Sequence, residues 1–471
     1  MRANTTLGVV VANRAFFPDH LVEKGRKQIL RALTDEGLEA VVLSPEETKF
    51  GSVETREDAG KCAALFRRHA DDIDGILVTL PNFGDEGPIA DAIRQAGLDV
   101  PVLVHAFPDR LDRLDVANRG DAFCGKLSVC NNLRQYGIRY SLTRSHTVSP
   151  DADEFREDLQ WFAAVCRIVR GLRTARIGAI GARPGPFKTV RFSETLLEAS
   201  GISVEVIDLS EIFASVHALA DDDSRVQQKL TQLRDYIDVS AVPDASLLRM
   251  ARLAAVIEGW MAEQDLDATA MQCWLSMQEN LGICCCGVMG MMSEALKPSA
   301  CEMDVTGAVA MYALSLASGK PSALLDWNNN YGDDADKCVA FHCSNLPASM
   351  MRDARMTRQD ILAEICGPEN TYGTCSGRIK PGPFTFARVS TDDREGRIRA
   401  YVGEGEWTDD PLDSFGGVGV ARIRGLQHLM RYVCQRGFEH HVAVNHSLVA
   451  SALEEAFGRY LGWECHRHEA E

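Results

Sequence analysis

Short apolar runs rich in β-branched residues alternate with amphipathic segments along the first part of the chain. The apolar runs, each as long as a buried strand, cover residues 6–12, 40–43, 73–80 and 100–105. The amphipathic segments, in which apolar residues recur at helical spacing, cover residues 21–33, 56–69 and 88–96. Parallel strands joined by helices produce this alternation, so residues 1–105 predict an open α/β sheet.

The same alternation resumes after an acidic helix predicted over residues 153–170. A strand at 176–181, a helix at 189–200 and a strand at 202–207 follow in order. Residues 222–264 are predicted to be helical throughout. This part of the chain therefore predicts a second α/β sheet.

The pattern changes beyond about residue 370, where polar and apolar positions alternate with the period of a strand. The β-rich runs cover residues 384–389, 397–402 and 418–423, with turns predicted at 392–396 and 403–407. Such alternation is typical of antiparallel sheets with one buried face.

A chain of 471 residues exceeds what one hydrophobic core usually serves, so we predict several domains. The predicted fold class is α/β, with two doubly wound parallel-sheet domains followed by a C-terminal β-rich, barrel-like domain. The predicted boundaries are 1–160, 161–318 and 319–471.

Composition and charge exclude several kinds of partner. The formal net charge of -17 predicts neither nucleic acid nor membrane as a partner, since both polyanions require a basic face. No signal-like segment opens the sequence and no run of about 18 apolar residues occurs, which predicts a cytoplasmic location. The 15 cysteines lack the spacing of a disulfide framework and are interpreted as small, buried, reduced side chains.

Three polar islands in the second half of the chain carry the candidate chemistry. They cover residues 301–304, 325–330 and 439–444, the first in the second predicted domain and the others in the third. Each sets carboxylates or imidazoles among apolar residues, and a divalent cation can gather several such groups at once. Carboxylates with neutral imidazoles suit manganese, zinc, iron or cobalt better than calcium.

Each island residue taken singly has a structural explanation. Glu302 precedes a predicted helix at 305–317 and could act as a helix cap, as could Asp304. Asp326 ends an apolar run before a predicted loop, where Asx turns are common, and His342 lies in an apolar strand. Their joint occurrence nevertheless predicts a metal centre.

Two adjacent histidines complete the candidate set. In a strand, His440 and His441 would face opposite sides, so at most one is expected to point toward the carboxylates.

The order and spacing of these residues resemble the L-fucose isomerase and L-arabinose isomerase superfamily. The residues that carry the resemblance are Glu302, Asp326, His342 and His441, the His-His-Val-Ala-Val sequence at 440–444, the Phe-Cys-Gly-Lys-Leu-Ser sequence at 123–128 and the Pro-Gly-Pro-Phe-Thr sequence at 381–385. The resemblance covers nearly the whole chain and extends to less characterised fucose-isomerase-like proteins. It implies two α/β domains and a C-terminal β-rich domain, in agreement with the pattern.

The resemblance also implies a cofactor and a quaternary structure. Mn²⁺, or another divalent transition metal, would be held by Glu302, Asp326 and His441, with His342 or His440 as a further ligand. Family members are commonly trimers or hexamers with active sites between subunits. An arginine after the first strand often reaches a neighbouring site, a position that Arg14 matches.

The predicted function is a metal-dependent aldose–ketose isomerase that acts on an open-chain sugar through a cis-enediolate. Glu302 and Asp326 would move the protons, while the metal polarises the carbonyl group. The predicted substrate-binding residues are Arg14, Asn82, Gln272, Trp327, Asn328 and Asn329. Arg14 could instead cap a helix or form a surface pair.

Two other functions fit the same residues. A metal-assisted hydrolase or aldolase would use the cation without forming an enediolate. A non-catalytic sugar-binding protein would also have two α/β lobes, although the clustered ligands argue against it.

Overall fold

The computed structural model describes residues 5–469 and divides the chain into two compact units, Met1–Arg170 and Gly171–Glu471. None of the helices in residues 5–469 combines the length and the apolar character needed to cross a bilayer. All fifteen cysteines are free thiols.

The first unit is built on a five-stranded parallel sheet. Its strands are β1 Thr6–Val11, β2 Glu39–Val42, β3 Gly75–Leu80, β4 Val102–Ala106 and β5 Ser141–Leu142, in the order β2-β1-β3-β4-β5. Its helices are α1 Asp19–Asp35, α2 Arg56–Arg68, α3 Glu86–Ala96, α4 Ala122–Gln135 and α5 Asp153–Arg173, the last running into the second unit. The predicted strands and helices of residues 1–105 agree with these bounds to within two residues.

Local chemistry explains why these helices begin and end where they do. A capping box at α2 satisfies two backbone donors, because Thr55 and Asp58 each bind the other's backbone N–H. The N-cap of α3 is Asp85, whose side chain accepts from the backbone N–H of Gly87. Its C-cap is Gly97, in the left-handed conformation.

The second unit opens with a four-stranded parallel sheet. Its strands are β6 Arg176–Ile180, β7 Ser203–Ile207, β8 Ala268–Met271 and β9 Ser299–Cys301, in the order β7-β6-β8-β9. The helices are α6 Glu194–Ala199, α7 Leu209–Ala218, α8 Ser224–Tyr236, α9 Asp244–Glu263, α10 Ser276–Leu281, α11 Cys286–Glu294 and α12 Val305–Ser318.

Two helix predictions in this region are wrong. Residues 222–264 form two helices rather than one, because the chain is extended at Ile237 and at Pro243, and a proline cannot continue a helix. The helix predicted at 189–200 is shortened to α6, which begins only after Ser193.

A nine-stranded mixed sheet makes up the rest of the second unit. Its strands are β10 Ala323–Asn330, β11 Lys337–His342, β12 Met351–Arg358, β13 Tyr372–Ile379, β14 Gly382–Asp392, β15 Arg397–Thr408, β16 Gly417–Arg422, β17 His441–Asn445 and β18 Glu464–Arg467. Its helices are α13 Asp360–Cys366, α14 Leu426–Arg436 and α15 Ala450–Glu454, with a π-helical turn at Glu455–Tyr460. The predicted turn at 403–407 is wrong, because β15 continues through it.

Six strands of this sheet close on themselves. The strand order is β12-β13-β16-β11-β10-β17-β14-β15-β18, and β15 pairs a second time with β16. The ring from β16 through β11, β10, β17, β14 and β15 is therefore an antiparallel barrel. Large buried side chains, among them Phe384, Phe386, Tyr401 and Trp407, belong to its core.

The predicted fold class, parallel α/β sheets followed by a barrel-like β-rich part, is confirmed. The four-stranded and nine-stranded sheets both lie in the second unit. The domain boundaries at 160/161 and 318/319 stay a prediction.

Candidate active site

The strand register of the barrel brings the predicted ligands into one place. β10 lies between β11 and β17, so Asp326 pairs with Phe341 on one side and with His441 on the other. His342 is the last residue of β11. Glu302 comes from the parallel sheet, directly after β9. Ligand atoms of Glu302, His342 and His441 lie within 4.8 Å of one another.

Glu302 is presented by an unusual turn. Both Glu302 and Met303 have φ of 60°, a left-handed conformation that disfavours residues with a Cβ. Two such residues in succession cost about 1–3 kcal/mol each, and strain of this kind is concentrated at functional sites. The turn leads directly into α12, whose N-cap is Asp304.

The imidazole of His441 joins the two carboxylates. Its Nε2 lies 3.0 Å from Oε2 of Glu302 and 3.4 Å from Oδ1 of Asp326. Nε2 of His440 lies 3.5 Å from the same Asp326 oxygen. The expectation that at most one of the two histidines faces the carboxylates is therefore wrong. β17 begins only at His441, so the alternation of a strand does not apply to His440.

The chemistry of this donor set fits a divalent transition metal. Within residues 5–469, Oδ1 of Asp326 and Nε2 of His441 are buried atoms that make no hydrogen bond. Unsatisfied buried polar atoms are costly, and here they belong to a carboxylate and an imidazole that face each other. Glu302, Asp326 and His441, with His342 or His440, could thus hold a cation.

A buried ionic network holds His441 from behind. Nδ1 of His441 lies 2.8 Å from Oδ2 of Asp304, which is itself 2.5 Å from Nη1 of Arg388. Nε of Arg388 donates to Glu439 at 3.0 Å, and all four side chains are buried. A carboxylate on Nδ1 fixes the ring so that Nε2 faces the site.

This network is not predicted from the sequence. Asp304 is predicted only as a possible helix cap, and it does accept from the backbone N–H of Gly307 at 2.8 Å. The signal that could have found the rest is Arg388, a charged residue in the middle of the apolar run 384–389.

Burial and neighbouring charges shift the pKa values of Asp304 and His441. Burial raises the pKa of Asp304, but the Arg388 guanidinium and His441 outweigh it and hold that pKa well below its usual range. Burial lowers the pKa of His441, but Asp304 and Glu302 raise it by more, so the net result is a pKa of about 9.

The metal-free protein should lose stability as pH rises from about 6.5, the ordinary histidine pKa, through about 9. Because the folded pKa of His441 exceeds the unfolded one, its contribution is fully present below the unfolded pKa and is lost above the folded pKa. Urea unfolding of chelator-treated protein at pH 6.5 and pH 9 measures this change. Tryptophan fluorescence is a suitable signal, since every tryptophan except Trp161 lies in the second unit.

The variant His441→Asn should remove that part of the pH dependence. His446→Asn is the matched control, because burial already lowers the pKa of His446 and keeps it neutral over this interval. An unchanged pH dependence in His441→Asn would contradict the assignment.

A cavity of about 530 Å³ opens beside the carboxylates. Glu302, Asp326 and His440 line its polar end. Its apolar wall includes Phe187, Trp274, Phe341, Ile361 and Leu362. The indole N–H of Trp274 donates to Oε1 of Glu302 at 3.0 Å, which holds the carboxylate in place. Neither Phe187 nor Trp274 is predicted from the sequence as a residue of the site.

The predicted sugar-contacting residues near β10 do not line this cavity. Trp327 points away from it, donates to the Tyr401 hydroxyl at 3.0 Å and packs on Phe386. Its place next to Asp326 on a strand puts it on the opposite face. Asn328 and Asn329 are exposed, and the side-chain amide of Asn329 donates a hydrogen bond to that of Asn328. Both lie in β10 rather than in the predicted loop. Gln272 accepts from Ala182 at 2.8 Å.

The two remaining candidates belong to the first unit. Asn82 is fully buried, donates to Asn13 at 2.8 Å and accepts from Gly84. Arg14 pairs with Glu86 at 2.5 Å and lies over the Phe83 ring. Their roles toward substrate stay predictions.

Comparison with known proteins identifies the family to which the chain belongs. Residues 8–173 match the model of the fucose/sulfoquinovose isomerase N-terminal domain, and residues 340–468 match that of the L-fucose isomerase C-terminal domain. The chain belongs to the fucose isomerase-like family. The family resemblance of the sequence is thereby confirmed, as is the enzyme class, an aldose–ketose isomerase.

Several curated relatives within this family carry the name sulfoquinovose isomerase. The one from Alkalicoccus urumqiensis is 26% identical over 395 residues, which is 81% of this chain and 83% of the relative. The one from Priestia aryabhattai is 23% identical over 468 residues, 98% of each chain. A third, from Clostridium sp. (strain MSTE9), is 22% identical over 71% of this chain and 74% of its own length.

Proposed function

We propose that this sugar isomerase depends on a divalent metal, Mn²⁺ in the first place, bound by Glu302, Asp326 and His441. The observation that carries the proposal is the convergence of two carboxylates on one buried imidazole nitrogen, at 3.0 and 3.4 Å. Two of the atoms in this set are buried without a hydrogen bond. The two carboxylates of the set, Glu302 and Asp326, line a cavity large enough for a sugar.

The protein groups would divide the work of isomerisation between them. A bound cation supplies Lewis-acid polarisation of the carbonyl group and offsets negative charge at the sugar oxygens. Of Glu302 and Asp326, one carboxylate takes the proton from C2 and the other manages the proton at the oxygens or at C1, so that a cis-enediolate forms and collapses. Trp274 orients Glu302 through its N–H, while the apolar wall excludes water.

An open-chain aldose is the proposed substrate, and sulfoquinovose is the first to test because the relatives carry that name. His440 lines the cavity, and its protonated form could pair with an anionic group of the sugar. Its pKa is lowered by burial and by His441, so a negative ligand would be needed to charge it.

Solvent-deuterium incorporation at C2 tests the proposal directly. Chelator-treated protein is incubated in D₂O with sulfoquinovose, fucose or arabinose, with and without Mn²⁺, and each sugar is followed by NMR. Metal-dependent exchange at C2 together with ketose formation is expected for at least one sugar. Full activity after exhaustive chelation would overturn the metal dependence. Turnover of a sugar without exchange or ketose would favour a metal-assisted hydrolase or aldolase.

We also propose that the protein is cytoplasmic and works as a homo-oligomer, a trimer or hexamer, with Arg14 near a neighbouring subunit's substrate. The resemblance of its sequence to fucose and arabinose isomerases motivates this. Light scattering coupled to gel filtration should give a mass of three or six times 51.7 kDa, and a monomer would refute the proposal.

A further inference from the structure

A cluster of thiols lies beside the candidate active site and is not used in the isomerisation proposed above. Cys273 follows β8, Cys286 begins α11, Cys301 ends β9 and Cys343 follows β11. The thiol of Cys301 lies against those of the other three. Cys273, Cys286 and Cys343 also line the cavity. Sulfur atoms from four separate segments of the chain therefore lie close together.

An imidazole completes the cluster. Nδ1 of His342 lies 3.5 Å from Sγ of Cys343. A ring nitrogen of His342 and the sulfurs of Cys301 and Cys343 lie within 4.8 Å of one another. Two sulfurs bound tetrahedrally to one Zn²⁺ lie about 3.8 Å apart, since each Zn–S bond is about 2.3 Å. The sulfurs of Cys301 and Cys343 would thus have to approach each other by at most about 1 Å to bind one ion.

Burial of small side chains alone does not explain this arrangement. Cys338, on the same strand as His342, shows the ordinary case, because burial alone raises the pKa of its thiol. Cys301, by contrast, has three thiols around it. The described cysteines form no disulfide, so the sulfurs of the cluster remain available as ligands.

We propose that Cys286, Cys301, Cys343 and His342 form a second metal site, specific for a thiophilic cation such as Zn²⁺, with Cys273 flanking it. Soft sulfur ligands separate this site chemically from the oxygen-rich site at Glu302 and Asp326. Nδ1 of His342 faces the thiols, which leaves Nε2 for the carboxylate side, so a single imidazole lies between the two sites.

Titration of the reduced, chelator-treated full-length protein with Cd²⁺ tests the proposal without an activity assay. Cadmium bound to thiolates gives an ultraviolet charge-transfer band, which is expected to saturate at one equivalent. Cys301→Ser should lower the band, because one of the three thiolate ligands is lost, whereas Cys338→Ser, the matched control on β11, should keep it unchanged. Glu302→Gln should also keep it, which separates this site from the proposed isomerase site.

A band that is missing in the unmodified protein, or equal in Cys301→Ser, would overturn the proposal, as would its loss in Cys338→Ser. If Cys301→Ser fails to fold, alkylation of the unmodified protein decides the matter. Zn²⁺ should protect the partly exposed Cys343 from iodoacetamide, measured by mass spectrometry, and should leave the exposed Cys124 reactive. Equal labelling of Cys343 with and without Zn²⁺ would refute the site.

Discussion

Replacing Glu302 with glutamine should lower kcat for isomerisation by about 10²- to 10⁴-fold, the usual contribution of a positioned acid or base. Glutamine keeps the size of the side chain and can still accept from Trp274, but it cannot take up a proton. Initial rates at saturating Mn²⁺ and deuterium incorporation at C2 should fall together. Binding of a non-reactive polyol should change far less, because the cavity wall is untouched.

The matched control is Glu279→Gln, which makes the same chemical change at an exposed position on α10. Its activity should equal that of the unmodified protein. Exchange at C2 that survives in Glu302→Gln would show that another group removes the proton.

Replacing Arg388 with methionine should lower the free energy of unfolding of the second unit by about 3–5 kcal/mol. Arg388 is fully buried and forms ion pairs with two buried carboxylates, those of Asp304 and Glu439. Methionine fills much of the volume but leaves Glu439 without a charged partner and Asp304 with His441 alone, and a poorly paired buried charge is costly. Urea unfolding followed by tryptophan fluorescence measures the loss.

Arg422→Met is the control for this experiment. Arg422 pairs with Glu406 at 3.5 Å across two barrel strands, but its side chain is half exposed, so its loss should cost less than about 1 kcal/mol. Arg388→Met should also weaken isomerisation, because Asp304 would no longer be held against His441. Equal stability of the two variants would contradict the role of the network.

Local patterns predicted residues 1–105 of the first unit well, whereas α4 and β5 were not predicted. The predicted strands and helices follow from the period of apolar residues and from caps such as Thr55 and Asp58, which are properties of neighbouring residues. The candidate ligands Glu302, Asp326, His342 and His441 could also be chosen from sequence, because each is a polar residue at or near the end of an apolar element. The structure brings these four together.

Features that depend on register and long-range pairing could not be predicted. Trp327 was expected in the sugar pocket, yet the pairing of β10 with β11 and β17 turns it toward Tyr401. His440 faces Asp326 because the strand starts one residue later. Arg388 meets Asp304 from 84 residues away, a contact that no periodicity encodes.

The origin of the ligands on two different sheets has a consequence for heat tolerance. Glu302 extends from the end of the parallel sheet, whereas Asp326 and His441 belong to the barrel, so an ion held by all three would tie one layer of the unit to the other. Unfolding would then have to release that ion. Mass action predicts about 2.7 kcal/mol of extra stability at a free metal concentration of 100 Kd. The melting temperature of this enzyme would therefore rise with the concentration of free metal around it.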